Sequence, residues 1–358
     1  MRAAMAVFLG TVLVFGGVSA AALLMIYRYP DTPNHTGPRD VDVVVPQGAA
    51  FPQVLGVLRE RQVVDSPLAF RVYATWRGLA AKIKAGQYRM RTDMTPRQVL
   101  DRLVRGGPEP EVVVTIPEGK NLLEVAVLLA QSGVAREAEL AARARDPALA
   151  REVGISAPTL EGYLFPDTYR LRTGRGPDPA LRTMVDRHVE VRTRVQTDHQ
   201  KGLARIRTMG FSDHQIVTLA SIVEKETGAA QERPLVASVY LNRLRRPGLP
   251  RLLEADPTII YGCTVPLLRS AACQSFVGRI RRIHLRDRDN PYNTYVHPGL
   301  PPGPIANPGR AALAAVLDPA ESDYLFFVSR NDGTHQFSTN AAEHRAAVDR
   351  YQRGASTP

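Results

Sequence analysis

The sequence predicts an α+β protein in which an amino-terminal apolar segment precedes a small β-α-α-β module and a larger mixed α+β domain. Three observations predict it. Residues 41–91 alternate strand-like and helix-like patterns in the order β-α-α-β. Residues 212–244 carry two apolar stripes at helical spacing on either side of an acidic break. Near the carboxyl end, two strand-like runs flank Asn331, Asp332 and Gly333, a hairpin signal.

The 358 residues give room for two or three domains, and 44% apolar content is ordinary for globular protein. Ala3 to Tyr27 carry no charge, with Arg2 before them and Arg28 after. That run is long enough to cross a bilayer, so residues 1–28 are expected to form a membrane anchor. A signal peptide cleaved after Val18, Ser19 and Ala20 competes with this reading. Because Ala21 to Tyr27 continue the apolar run, a retained anchor is favoured. Either reading exports the rest of the chain. Residues 29–40, with Pro30, Pro33 and Pro38, read as a linker.

The module spans residues 41–110. Val41–Val45 is strand-like, Phe51–Arg61 and Leu68–Arg77 are helical, and Gln87–Met90 is a second strand. Thr95 and Pro96 then start a helix as N-cap and first helical residue, and Gly106 ends it. Residues 111–210 form a connecting segment. Its first strand, Glu111–Ile116, runs into Pro117, Glu118 and Gly119, which echo Pro46, Gln47 and Gly48. Each copy leads into a helix, through Phe51, Val54, Leu55 and Leu58 or Leu122, Val125, Leu128 and Leu129, a weak internal repeat. The run Leu160–Tyr169 sets aromatics beside Glu161 and Asp167, which suits either sugar binding or a core turn. Residues 179–209 read as a basic helical region with a stripe through Leu181, Met184 and Val185.

Residues 211–351 carry the candidate chemistry. Ser212 and Gln215 have capping-box spacing, and Ile216, Leu219, Ala220 and Val223 share one face, predicting a helix from Asp213 to Thr227 stopped by Gly228. At about 100° per residue, Lys225 points away from the buried face and Glu224 and Glu226 flank it. Either glutamate could border a cleft. The negative end of the helix dipole and partial burial both raise a carboxyl pKa there, as a general acid requires. A solvated helix end is the plainer alternative. Leu235, Val236, Val239, Tyr240 and Leu244 predict a second helix ending near Asn242 and Arg243. Asp256, Pro257 and Thr258 read as a turn, and residues 291–309 as a long Pro- and Gly-rich loop. Asn340 and Glu343 cap a last helix, and residues 352–358 read as a disordered tail.

A formal charge of +11 implies anionic surroundings. Arginine is spread along the chain without a helix-turn-helix, RRM or zinc-finger pattern, so no nucleic acid is expected. Cys263 and Cys273 either pair across a short loop or stay free. No spacing suits a metal, and neither metal nor organic cofactor is expected.

Residues 41–91 resemble LysM modules, which bind N-acetylglucosamine-containing glycans, although a plain spacer is the alternative. A wider resemblance rests on EGYLFPDTY (Glu161 to Tyr169), ASIVEKET (Ala220 to Thr227), ERPLVASVYLNRL (Glu232 to Leu244) and EADPTIIYG (Glu254 to Gly262). It continues through PYNTY (Pro291 to Tyr295), GLPPGPIANPG (Gly299 to Gly309), YLFFVS and HQFSTN. In this order the motifs resemble the endolytic murein transglycosylase family, the YceG-like proteins. The resemblance implies a single-pass inner-membrane protein whose outer, periplasmic part is the catalytic domain. It also implies cleavage of the β-1,4 bond after N-acetylmuramic acid in nascent peptidoglycan strands, near peptidoglycan synthases, leaving 1,6-anhydro ends. The family's catalytic glutamate falls on Glu226, a choice the helix count leaves open.

The expected cleft-lining residues are Glu232, Arg233, Asn242, Asp256, Tyr292, Asn293 and Glu161. Arg233 would hold a carboxylate, and the asparagines would bond N-acetyl or hydroxyl groups. A structural hydrogen bond is the alternative for each. A second carboxylate, Glu232, Asp256 or Glu161, would permit lysozyme-like hydrolysis instead, and a non-catalytic scaffold would need only the amino-terminal module. Glu254 stands where the family commonly has glutamine, and either adds charge near the acid or faces solvent. The stretch Cys263 to Asp289, with its basic run, departs from the family pattern.

Overall fold

The computed structural model describes residues 27–35, 37–46, 48–107 and 111–353. The uncharged run 3–27, Tyr27 excepted, lies outside them, as do residues 354–358 of the expected tail. Among the described residues no helix is long and apolar enough to cross a membrane. The architecture is mixed α+β, mainly helical with two-stranded sheets, and the chain divides into two compact units, the second starting at Glu111.

In the first unit β1 (Asp40–Val45) pairs antiparallel with β2 (Gly86–Arg91), from Asp40 opposite Arg91 to Val45 opposite Gly86. Between them run α1 (Phe51–Glu60) and α2 (Pro67–Trp76), giving the order β-α-α-β, and α3 (Pro96–Arg105) follows. Strand alternation puts Val43, Val45, Tyr88 and Met90 on one face, and that face packs on Leu58, Phe70 and Leu103. Thr95 and Gln98 cap α3 reciprocally. The expected linker is instead folded onto this unit. The Asn34 amide donates to Val63 O at 2.7 Å and Met94 O at 2.8 Å, and Tyr29 packs edge-on against Tyr73. Asn34 is buried there, and its amide supplies a partner to main-chain carbonyls of the unit.

The second unit opens with β3 (Glu111–Thr115), then α4 (Leu122–Gln131), α5 (Glu137–Ala144) and α6 (Pro147–Glu152). The chain returns through β4 (Thr168–Arg172), antiparallel to β3. Gly48 and Gly119 after the first strand of each unit share φ of 75° and 74°, a left-handed turn that favours glycine. The basic region forms α7 (Asp178–Asp198) and α8 (Gln200–Thr208). Next come α9 (Asp213–Glu226), α10 (Arg233–Arg245), α11 (Asp256–Thr264), α12 (Ala271–Gln274), α13 (Arg282–Leu285) and α14 (Arg310–Leu317). The expected hairpin is β5 (Phe326–Ser329) against β6 (His335–Ser338), followed by α15 (Ala341–Val348) and one π turn over Asp349–Arg353.

One core runs from Val114 to Leu317, so residues 111–210 share it with α9, α10 and α14. Tyr163, Leu164, Phe165 and Tyr169 are buried in it, which makes that aromatic run a core turn. Asp256 begins a helix where a turn was expected, because Pro257 sits in the first turn, where its missing N–H costs nothing. Cys263 and Cys273 are disulfide-bonded and, with Ile259, form a small satellite core.

Candidate active site

The site grows from the end of α9. Ser212 Oγ accepts the Gln215 N–H and Gln215 Oε1 accepts the Ser212 N–H, which fixes where the helix begins. Ile216, Leu219, Ala220 and Val223 are all buried, which fixes how it is rotated. The helix stops because Thr227 is extended, at φ −139°. Gly228, expected to end it with a left-handed turn, is not among the positive-φ glycines.

The two glutamates part at this end. Glu224 has a side chain only 4% exposed; its Oε1 accepts from Arg233 Nη2 at 2.8 Å and its Oε2 from the Gly309 N–H at 3.0 Å. Glu226 turns toward α10, where the Tyr240 hydroxyl donates to its Oε1 at 2.7 Å. Lys225 is exposed and reaches Gly119 O. Burial pushes the Glu226 carboxyl up to about 7; the Tyr240 hydrogen bond opposes this, the Asp256 charge adds to it and Arg243 opposes it. Tyr240 is buried and its own pKa is raised, so it remains a neutral donor.

Glu226 opens onto a cleft of about 450 Å³. It is lined by Tyr240, Arg243, Glu254, Asp256 and Tyr295, by Phe326, Phe327, Val328, Ser329 and His335 of the hairpin, and by His344 and Val348. Arg243 is held by Leu325 O at 2.6 Å, Leu253 O at 2.5 Å and Glu254 Oε2 at 3.2 Å, with its guanidinium 5.1 Å over Phe326. Asp256 Oδ1 accepts from the Tyr295 hydroxyl at 2.7 Å. Glu254 has φ 53°, an uncommon left-handed conformation for a residue with a side chain. Such strained positions concentrate where side chains must be aimed. Among the described residues no group of three or more His, Cys, Asp or Glu is arranged to hold a metal ion.

Of the expected residues, Glu226 and Asp256 share this cleft. Glu232 stands behind it, accepting the His335 main-chain N–H at 3.0 Å and facing His335 Nδ1 at 2.6 Å. The others lie elsewhere. Arg233 pairs with Glu224 at 2.8 Å and with Glu118 at 3.6 Å. The Asn242 amide donates to Ser322 O and Tyr324 O, and Asn242 lines a separate hollow with Ser238 and Arg245. Asn293 is fully buried and donates to the carbonyls of His284, Leu285 and Asp287, while its Oδ1 accepts the Tyr295 N–H. Tyr292 packs on Tyr261, ring centroids 4.8 Å apart. Glu161 is sealed in the core, accepting from the Leu122 N–H and the Tyr261 hydroxyl at 3.1 Å, and burial lifts its carboxyl to about 8 against those bonds. Buried main-chain groups must find partners, and these polar side chains supply them.

Sequence reasoning missed Tyr240, Arg243, Tyr295 and His335 as cleft residues. Tyr240 carried only a core signal, sitting in an apolar stripe. Tyr295 closes the same PYNTY run that contains Tyr292 and Asn293.

The YceG-like family model matches residues 43–350. A Bacillus subtilis protein named endolytic murein transglycosylase is 28% identical over 325 residues, covering 87% of this chain and 84% of that one. A Streptococcus pneumoniae protein of the same name is 27% identical over 336 residues, covering 85% of this chain and 57% of that one. A crystal structure of a yceG-like protein from Listeria monocytogenes matches with a TM-score of 0.54 and 27% identity, over 86% of this chain and 98% of that one.

Proposed function

Because the chain belongs to the YceG-like family, we propose that it is an endolytic peptidoglycan lytic transglycosylase with Glu226 as its acid and base. The observation that carries this is a half-buried carboxyl, lifted to about 7, bonded by Tyr240 and open to a cleft. Near neutral pH such a group is present in both protonation states. Protonated, it delivers its proton to the glycosidic oxygen leaving C1 of N-acetylmuramic acid, and the C1–O bond breaks. As a carboxylate, it then takes the proton of the muramoyl C6 hydroxyl while that oxygen bonds to C1. The proton returns to Glu226, no water is consumed, and the product is a 1,6-anhydro end.

Asp256 and Glu254 line the same cleft, and this favours a second reading, a muramidase in which one of them directs water to C1. Mass spectrometry of the sugar ends released from uncrosslinked glycan strands separates the two. Anhydromuramoyl ends that vanish in Glu226→Gln are expected. Reducing ends would replace the proposal with the muramidase, and no cleavage by the wild type would remove both.

The same reading extends beyond the cleft. Residues 3–27 serve as a single-pass anchor, which sets the second unit outside the cytoplasmic membrane beside peptidoglycan synthases. The β-α-α-β unit acts as a LysM-like glycan-binding module. Protease protection of the amino terminus in spheroplasts tests the anchor.

A further inference from the structure

The cleft contains a histidine that the acid-base cycle of Glu226 does not use. His335 begins β6 and lines the cleft. Its main-chain N–H donates to Glu232 Oε1 at 3.0 Å, and its Nδ1 lies 2.6 Å from Glu232 Oε2. Its ring packs edge-on against Phe327, centroids 5.4 Å apart. Phe327 in turn packs edge-on on Tyr240 at 5.9 Å, and Tyr240 holds Glu226. The two side chains are nearly enclosed, Glu232 at 10% and His335 at 13% exposure.

A carboxylate oxygen accepts from a ring N–H, and the 2.6 Å approach of Nδ1 to Glu232 Oε2 assigns the hydrogen to Nδ1. In the neutral ring the lone pair then lies on Nε2. Nε2 makes no hydrogen bond to the described residues, yet it is not among the polar atoms sealed away without a partner. One nitrogen is therefore fixed from behind by an enclosed acid while the other remains open on a residue of the cleft wall. The same division orients metal-bound and catalytic imidazoles, where a second group sets tautomer and ring angle for the nitrogen that works.

We propose that His335 is a second substrate-contacting residue, its Nε2 accepting a hydrogen bond from a hydroxyl of the bound glycan, with Glu232 as the positioning residue that fixes the ring. This rests on the reading of the cleft as a glycan site.

The test uses the full chain carrying Glu226→Gln, which should bind uncrosslinked glycan strands without cutting them. Histidine ring ¹⁵N spectra should show the Nδ1–H tautomer for His335 and a shift of its Nε2 resonance on saturation with glycan. Adding His335→Ala should weaken glycan affinity at least tenfold, with His335→Gln, whose amide oxygen can still accept, losing less. Adding Glu232→Ala instead should abolish the single-tautomer signature. Binding with an unmoved Nε2 resonance, or affinity within twofold of the parent in His335→Ala, would overturn the contact and leave His335 a hairpin clamp. Should neither this variant bind glycan nor the wild type cut it, the glycan-site reading itself fails, a result distinct from the other two.

Discussion

The Tyr240 hydroxyl donates a 2.7 Å hydrogen bond to Glu226 Oε1, tying the last turn of α9 to α10. A hydrogen bond to the ionised form favours that form, so this contact restrains the rise that burial imposes on Glu226. Tyr240→Phe removes the donor and little else. A bond of this kind contributes about 1 kcal/mol net, so the high-pH limb of the pH–rate profile should move up by about 0.5 to 1 pH unit. A limb that stays in place, or moves down, would detach Glu226 from it.

Glu226 and Glu161 also predict an inverted dependence of stability on pH. Both carboxyls are raised by burial, from 4.5 to about 7 and about 8. Between those limits the folded chain binds more protons than the unfolded chain, so stability is fully present below about 4.5 and falls as pH rises through 7 and 8. At about 1.4 kcal/mol per pH unit, Glu226 contributes roughly 3 kcal/mol and Glu161 roughly 5 kcal/mol to that decline. Urea unfolding from pH 5 to 8 should show it, and Glu226→Gln should flatten the part below 7. An unchanged slope in that variant would mean the carboxyl is not raised.

The nearly enclosed pair of Glu224 and Arg233 closes the end of α9. Glu224→Ala leaves the enclosed Arg233 with only the longer pair to Glu118, at 3.6 Å, and should cost about 3 kcal/mol. The Gly309 N–H loses its acceptor as well. Glu224→Met with Arg233→Met should cost less than the two single changes summed, because the double variant removes both charges of the buried pair together. Additive losses in chemical denaturation would show that the pair is not coupled.

How much of this was legible in the sequence depended on how far apart the partners stand. Ser212 with Gln215, Thr95 with Gln98 and Asn340 with Glu343 are contacts within one turn, and all three caps form where the spacing puts them. The hairpin was equally local, since Asn331, Asp332 and Gly333 turn the chain themselves. Asn242 failed as a cleft residue because its partners, the carbonyls of Ser322 and Tyr324, are about eighty residues away. His335 read only as a strand residue because the acid that aims it is Glu232, 103 positions earlier. Glu224 and Glu226 differ in space, Glu224 being held by Arg233 and Gly309 and Glu226 by Tyr240, and periodicity encodes none of these partners. Pro257 is different: a proline after Asp256 was a helix-start signal in plain view, read as a turn.

Gly162 joins the buried turn at Glu161 to the loop that ends at Gly309, and it separates strain from crowding. Its φ is +87°, and a Cβ there would lie 2.5 Å from two Pro304 side-chain carbons and 3.0 Å from Val217 Cγ1. The proline ring cannot swing aside as a long flexible side chain would. Gly210 has a similar φ of +83° with nothing within 4 Å of its added Cβ. Gly210→Ala should therefore cost about 1 kcal/mol from backbone strain alone. Gly162→Ala should add overpacking of about 1–3 kcal/mol. In a unit of this size each kcal/mol lowers the melting temperature by roughly 2–4 °C. Melting curves of the two variants should thus differ by several degrees, with Gly162→Ala the lower. Equal melting temperatures would mean that the loop at Pro304 yields, and that Gly162 is required for its turn and not for the close approach.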